Sequence, residues 1–201
     1  RVQSRFYGEK GKFSYQAALY FQRQDYFKLD ERIKGGDYQR FDVKSHRDDW
    51  GAIMHLRLEG RHNAFALGGE FKNGSIDGGD HYVTSTDEVL NKGSIRILSV
   101  FAQDELSLFN KKIWLQVALR YDNAYFHKGW FEANGENVSD FNTYNGKLKN
   151  NRWEHLSPRV ALRYNPTRAI SAYISYSQGF RASILDLSLI HISEPTRLGM
   201  I

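Results

Sequence analysis

Residues Phe101–Asp122, FAQDELSLFNKKIWLQVALRYD, decide the fold. From Ile113 to Asp122, apolar side chains alternate with polar, small or amphipathic ones. Successive side chains of a β-strand point to opposite faces of a sheet, so this pattern predicts a strand with one apolar and one polar face. The short polar turn Phe109–Lys112 joins it to a preceding strand, Ser99–Leu108. The two strands therefore form an antiparallel hairpin.

The composition narrows the class of protein. Mean hydropathy is −0.59, and the sequence has no run of about 18 apolar residues, which excludes a helical membrane span. Aromatic residues make up 14% of the 201 residues, with 17 glycines and three prolines, a balance that favours strands and turns. The absence of cysteine excludes disulfides and thiolate metal sites. The net charge of +5 is not concentrated in a basic patch, so no nucleic-acid partner is expected.

The alternation of the opening hairpin recurs along the chain. Short turns separate some of the strands, and three long polar segments, expected to be loops, separate the others: 29–45, 73–93 and 127–150. This rhythm predicts about eight antiparallel strands, with short turns at one edge of the sheet and long loops at the other. That asymmetry is typical of outer-membrane β-barrels, as are aromatic residues near strand ends.

A soluble β-sandwich or a small lipocalin-like barrel stays open at this point, because core-facing and lipid-facing strands have the same periodicity. In the barrel interpretation, the two faces of one strand have different surroundings. We expect Leu115, Val117 and Leu119 to face lipid. The alternate residues Gln116, Arg120 and Asp122 are then expected to face the lumen.

Three motifs carry a family resemblance. The segments Val100–Leu106 (VFAQDEL) and Leu119–Asp122 (LRYD) resemble the mid-barrel hairpin of TonB-dependent outer-membrane receptors. Leu156–Tyr164 (LSPRVALRY) resembles the family's next signature, and Tyr173–Ala182 (YISYSQGFRA) is similar to its "aYasyskGFRaP" segment. The three occur in the family's order and at about its spacing.

The resemblance implies an all-β fold, an antiparallel transmembrane barrel of 22 strands plugged by an N-terminal domain. Residues 1–183 are expected to be an internal section of such a barrel, with neither the plug nor the segment that contacts TonB. Residues 184–201 depart from the family pattern and resemble a translated sequencing-adapter artefact, although Leu185, Leu187 and Leu189 alternate like a strand. We expect this tail to be non-native.

The function implied by the resemblance is energy-coupled uptake of a scarce nutrient. The preferred cargo is a ferric siderophore. Haem, cobalamin and oligosaccharides are the alternative cargoes. A passive porin-like barrel, complete at eight strands, is a different class of function and stays open. The implied partners are the small ligand, outer-membrane lipid and, through the missing N-terminal region, the TonB complex. No cofactor is expected, and an outer-membrane enzyme is the least favoured alternative.

Ligand sites in this family use aromatic side chains, which stack on the ligand, and arginine, which pairs with its anionic groups. The polar segments contain seven candidates of these types: Tyr38, Arg40, His81, Tyr82, His127, Trp130 and Phe131. The alternative is that these side chains only pack the loops against each other.

Neither a catalytic set nor a metal site stands out. His46, Asp48 and Asp49 are close in sequence, and His81 follows Asp80. Single histidine and aspartate residues in polar segments are more often solvated than bound to a metal. We therefore expect no metal at either position.

Overall fold

A computed structural model describes residues 1–136, 138, 145–167 and 169–181, except the side chain of Lys34. These residues form one antiparallel sheet in which each long strand pairs with the next along the chain, in the order β1-β2-β3-β4-β5-β6-β8-β9, with β7 paired to β6. The strands are β1 Val2–Lys10, β2 Phe13–Lys34, β3 Asp37–Glu59, β4 Asn63–Tyr82, β5 Glu88–Leu108, β6 Ile113–Asn134, β7 Gly146–Lys147, β8 Asn151–Tyr164 and β9 Ala172–Ser177.

The expectation of an all-β antiparallel fold is confirmed. The nine strands are eight main ones and the two-residue β7, close to the predicted eight. β1 and β9 are the two ends of the strand order, so the sheet is open. Within the described ranges, no helix has the length and apolar character needed to cross a bilayer.

The prediction of long loops is wrong for most of the length of these segments. β2 and β3 continue through the polar segment 29–45 to a two-residue turn, Gly35-Gly36, and β4 and β5 extend through most of 73–93. Polar residues do not end a ladder, since hydrogen bonds between backbones need no particular side chain. Gly35 and Gly36 have φ of 64° and 96°, the positive values that a two-residue hairpin turn with the right twist requires.

The two faces of the sheet differ in exposure. On β6, Gln116 and Asp122 are 7% and 5% exposed, whereas Val117 and Leu119 are 45% and 47% exposed. Side chains crowd together on the inside of a curved sheet and spread apart on its outside. We therefore call the face of Gln116 and Asp122 the inner face and the face of Val117 and Leu119 the outer face. The predicted division of β6 into two faces is confirmed.

The outer face carries an apolar band near the short turns, interrupted on β5 by Asp104, which lies opposite Phe65 and Val117. In each segment of the band, every outward residue is apolar or aromatic: Phe13–Phe21, Trp50–Leu58, Phe65–Phe71, Leu98–Ala102, Ile113–Tyr121 and Leu156–Tyr164. Four of these six segments are nine residues long, close to the 9–11 that a strand needs to cross a bilayer. The next outward residue in each strand ends the band: Arg23, Asp48, Asn73, Arg96, Asn123 and Glu154.

The inner face at the level of the band is polar and tied together by charge. Arg120 Nη2 donates to Glu70 Oε2 at 3.1 Å, and Arg120 Nε donates to Asp122 Oδ1 at 2.9 Å. The fully buried hydroxyl of Ser99 donates to the same Asp122 oxygen at 2.6 Å. An apolar outside and a bonded polar inside are the two faces of a transmembrane barrel wall.

Candidate functional site

Beyond the band, the strands continue as long hairpins, and their inner face carries a cluster around Arg32. The Arg32 guanidinium carbon lies 5.1 Å from the ring centroid of Phe41 and 5.8 Å from that of Tyr82. The two rings stack with centroids 4.9 Å apart and an angle of 24° between their planes. A guanidinium over aromatic faces is attracted by the ring quadrupole. We call Arg32, Gln39, Phe41 and Tyr82 the arginine cluster.

Hydrogen bonds fix the arginine within this cluster. Arg32 Nε donates to Gln39 Oε1 at 2.9 Å, and Nη2 donates to the Tyr82 hydroxyl at 2.7 Å. Nη1 has no hydrogen-bond partner among the described residues. Gln39 and Phe41 are both 6% exposed, whereas Arg32 is exposed. The buried groups therefore hold a cation that still has a free donor at the surface.

The Gly35-Gly36 turn creates this cluster. A two-residue turn places Arg32 opposite Gln39 in the β2–β3 ladder, and the β3–β4 ladder places Phe41 opposite Tyr82. A turn one residue longer would shift the register and send alternate side chains to the other face. The cluster lies well beyond the apolar band, because Phe41 is nine residues from Trp50, about 30 Å along the strand at about 3.4 Å per residue.

Burial raises the pKa of two groups beside Arg32. It raises the pKa of the Asp80 carboxyl, although Arg32 and His81 oppose the shift. Burial also raises the pKa of the Tyr82 hydroxyl, against the lowering effect of Arg32. Tyr82 therefore stays protonated and remains a donor in neutral solution. Arg32 Nη1, which has no hydrogen-bond partner among the described residues, is left available to an anion from solution.

An apolar wall continues from the arginine cluster towards β8. Tyr82 and Val89 pack against the buried residues Phe131, Ala133 and Val138. Leu148 packs against both this group and the buried pair Ile76 and Phe126, which also contacts Ile95 and Trp153. On the inner face of the long hairpins, a cation thus lies at one side of a buried apolar cluster whose partly buried members are Tyr82, Val89, Leu148, Ile95 and Trp153.

Of the seven residues predicted from the sequence, Tyr82 and Phe131 are brought together in this wall. The other five alternate onto the outer face. Three of these have polar or stacked neighbours there. His81 Nδ1 lies 2.7 Å from Glu88 Oε1, Trp130 Nε1 donates to Glu132 Oε2 at 3.2 Å, and His127 stacks on Tyr125 at 5.4 Å. Burial, with Arg96 and Lys128 nearby, lowers the pKa of His127. The last two, Tyr38 and Arg40, flank Gln39 on β3.

A β-bulge separates Phe131 from the neighbouring candidates. Lys92 pairs with Trp130 but Ser94 pairs with His127, so Lys128 and Gly129 together oppose one residue of β5. Lys128 has a φ of 56°. The extra residue changes which side chains point inward. Phe126 and Phe131 therefore share the inner face, at 3% and 5% exposure, although their positions differ by an odd number.

Sequence reasoning missed Arg32, Gln39, Phe41, Phe126 and Trp153. The signal that could have found the first three is the Gly35-Gly36 pair, which is a two-residue hairpin turn when strands flank it. With that turn assigned, Arg32 and Gln39 are cross-strand partners by counting.

The histidine and aspartate residues weighed as a metal site form ion pairs instead. His46 contacts Asp25 through Nδ1 and lies 3.3 Å from Asp48 Oδ2 through Nε2. Asp48 also accepts from Arg23 Nε at 2.9 Å, and Asp49 accepts from Arg47 on the inner face. No group of three potential ligands that could hold a metal ion occurs in the described part of the chain.

An open antiparallel sheet with an apolar outer band and a polar inner face defines a section of a transmembrane β-barrel. The chain belongs to the TonB dependent receptor-like, beta-barrel family, whose model matches residues 1–190. Members of this family are outer-membrane receptors and transporters in general, not enzymes.

A solved structure shares the fold. The ferric yersiniabactin uptake receptor FyuA from Yersinia pestis superposes with a TM-score of 0.61 at 8% sequence identity. The match covers 81% of this chain and 25% of that receptor, so the chain spans about a quarter of its length. The comparison with curated proteins found no significant match.

Proposed function

We propose that this sheet is a section of the barrel wall of an outer-membrane receptor that takes up a ferric siderophore with energy from the TonB complex. The observation that carries the proposal is the Arg32 guanidinium held over the rings of Phe41 and Tyr82 on the inner face. Arginine binds anionic oxygens with charge-assisted hydrogen bonds, and aromatic faces stack on planar ligand groups. A siderophore complex offers both kinds of group.

The apolar wall supports the same proposal. A binding surface needs mostly apolar lining with a few placed polar groups. The partly buried side chains of Tyr82, Leu148 and Trp153 would supply the lining, and Arg32 the polar anchor. The plug domain and the contact with TonB belong to this proposal and would lie outside the present chain. Transport requires no covalent step, so the proposed role of the wall is to bind the ligand and release it.

The experiment uses the complete receptor that carries this sheet. Binding of a panel of ferric siderophores, haem and cobalamin is measured by quenching of intrinsic fluorescence, with Arg32→Gln compared with Arg23→Gln. Arg23 lies in the same hairpin and bonds Asp48 on the outer face, so it is a matched control. A hydrogen bond to a charged group contributes about 1.5–3 kcal/mol, so Arg32→Gln should weaken binding about 10- to 100-fold.

Arg32→Lys keeps the charge but loses the planar fork and should weaken binding to a smaller extent. Equal affinities of the Arg32→Gln and Arg23→Gln variants for the ligand would show that the arginine cluster is not part of the binding site. Binding of haem or cobalamin, with no affinity for any ferric siderophore, would overturn the choice of cargo.

A further inference from the structure

A groove of about 550 Å³ lies on the outer face, across the middle of strands β2–β5. Its floor is formed where the outward side chain is small or absent, at Ala17, Ala52 and Gly69. The larger side chains of their cross-strand partners form its walls: Leu19 and Phe71 lie opposite Ala52, and Met54 lies opposite Ala17 and Gly69. All of these outward residues belong to the apolar band.

Further strands of the same barrel would not cover this groove. β2, β3, β4 and β5 are each paired on both sides, and only β1 and β9 have an unpaired edge. Any additional strand would therefore add at an edge of the sheet, several strands from Ala52. The occupant of the groove has to come from outside the barrel.

A cation stands at the long-hairpin end of the groove. Leu98 lines the groove, and Arg96, two residues earlier in the chain, lies on the same face opposite Asn73. Arg96 is exposed and forms no ion pair with any described residue, whereas Arg23, the first outward residue beyond the band on β2, is bonded to Asp48. Trp50, 48% exposed, lies beside the groove with its ring 5.1 Å from that of Phe71.

We propose that this groove binds one acyl chain of a phosphate-bearing membrane lipid, whose headgroup pairs with Arg96. The proposal rests on the membrane location in the proposed function. Tryptophan and arginine just above an apolar surface mark the level of lipid headgroups. Arginine also binds phosphate through two parallel hydrogen bonds.

The dimensions fit such a lipid. From Val100, which lines the groove, to Arg96 is four residues, about 13 Å at about 3.3 Å per residue. A chain lying in the groove would gain contact with the exposed side chains of Leu19 and Met54, and its phosphate would reach the guanidinium. A protein partner would have to bury about 800 Å² on each side for a stable interface, far more than a groove with a floor of three small residues provides.

The test is native mass spectrometry of the complete receptor in mild detergent, with phosphatidic acid or diacylglycerol added as the probe. One bound phosphatidic acid is expected, and diacylglycerol, which lacks the phosphate, should be retained at least fivefold less. Gly69→Leu fills the groove. A Cβ atom at Gly69 meets nothing nearer than Ser99 O at 3.4 Å, so this variant should still fold. Arg96→Gln removes the cation.

Both variants should lower phosphatidic acid occupancy at least fivefold. Ala102→Leu is the matched control, since Ala102 lies in the apolar band but does not line the groove, and it should retain the lipid. Retention unchanged in Gly69→Leu, or a dimer mass in place of a lipid adduct, would overturn the lipid site. Ferric siderophore binding is measured on the same samples. Its absence with the lipid pattern intact would count against the proposed function alone.

Discussion

The ring of Phe101 packs directly over the backbone of Gly68 on the inner face. A methyl group at Gly68 would lie 2.3 Å from Cζ of this ring and 2.7 Å from the backbone oxygen of Met54. The same ring makes an edge contact with His55, with centroids 5.1 Å and planes 80° apart. The missing side chain at Gly68 therefore leaves the space that the Phe101 ring occupies.

Gly68→Ala should destabilise the barrel by about 1–3 kcal/mol, the usual cost of overpacking, measured by urea titration of the refolded receptor. Gly69→Ala is the neighbouring control on the opposite face, where the nearest atom is 3.4 Å away. Adding Phe101→Leu should recover part of the loss, because the two residues are in contact and their effects should not be additive. Equal stabilities of the two alanine variants would contradict the packing described.

The two faces predict opposite responses to a new charge. Met54→Arg places a cation at the middle of the apolar segment of β3, opposite Ala17 and Gly69, and should cost about 2–4 kcal/mol near the bilayer midplane. Gln103→Arg is the control, since Gln103 is on the inner face and already donates to Glu105 Oε1 at 2.8 Å. An arginine there can form the same contact with little cost. Refolding titrations in lipid vesicles measure both, and a tolerated Met54→Arg would place this face away from lipid.

The β2–β3 hairpin should respond to pH through His46. The hydrogen bond to Asp25, followed by that to Asp48, raises the pKa of His46. A raised pKa in the folded state gives stability that is fully present below the unfolded value of about 6.5 and is lost as pH rises through the folded value. The difference in unfolding temperature between wild type and His46→Gln should follow that course.

Asp25→Asn should lower the pKa of His46 in a nuclear magnetic resonance titration of its ring protons. A titration curve that is the same in wild type and Asp25→Asn would show that the ion pair does not form in solution.

The Gly35-Gly36 turn predicts a local effect. Gly36→Val places a β-branched side chain at a φ of 96°, at a cost of about 1–3 kcal/mol. Gly35→Asn should be tolerated, because asparagine is accepted at positive φ in such turns. In Gly36→Val, hydrogen exchange should become faster at the hairpin end near Arg32. Exchange in the part of β2 that belongs to the apolar band, Phe13–Phe21, should be unaffected. Since the turn sets the register of the arginine cluster, ligand binding should weaken in the same variant.

The sequence by itself determined the strands and their two faces. The alternation from Ile113 to Asp122 is sufficient for this, because side-chain direction in a strand depends only on position. The motifs at Val100–Leu106, Leu156–Tyr164 and Tyr173–Ala182 were enough to indicate the family, and the family match over residues 1–190 agrees.

Only the tertiary structure decided where the strands end and which long-hairpin residues share a face. Beyond the apolar band, polar residues occur on both sides of a strand, so they mark neither the end of the strand nor its inward face. The inward position of Phe131 depends on a bulge at Lys128, and the contact of Arg32 with Phe41 and Tyr82 depends on the registers of two ladders. Register is a property of paired strands, so a single strand's pattern cannot contain it.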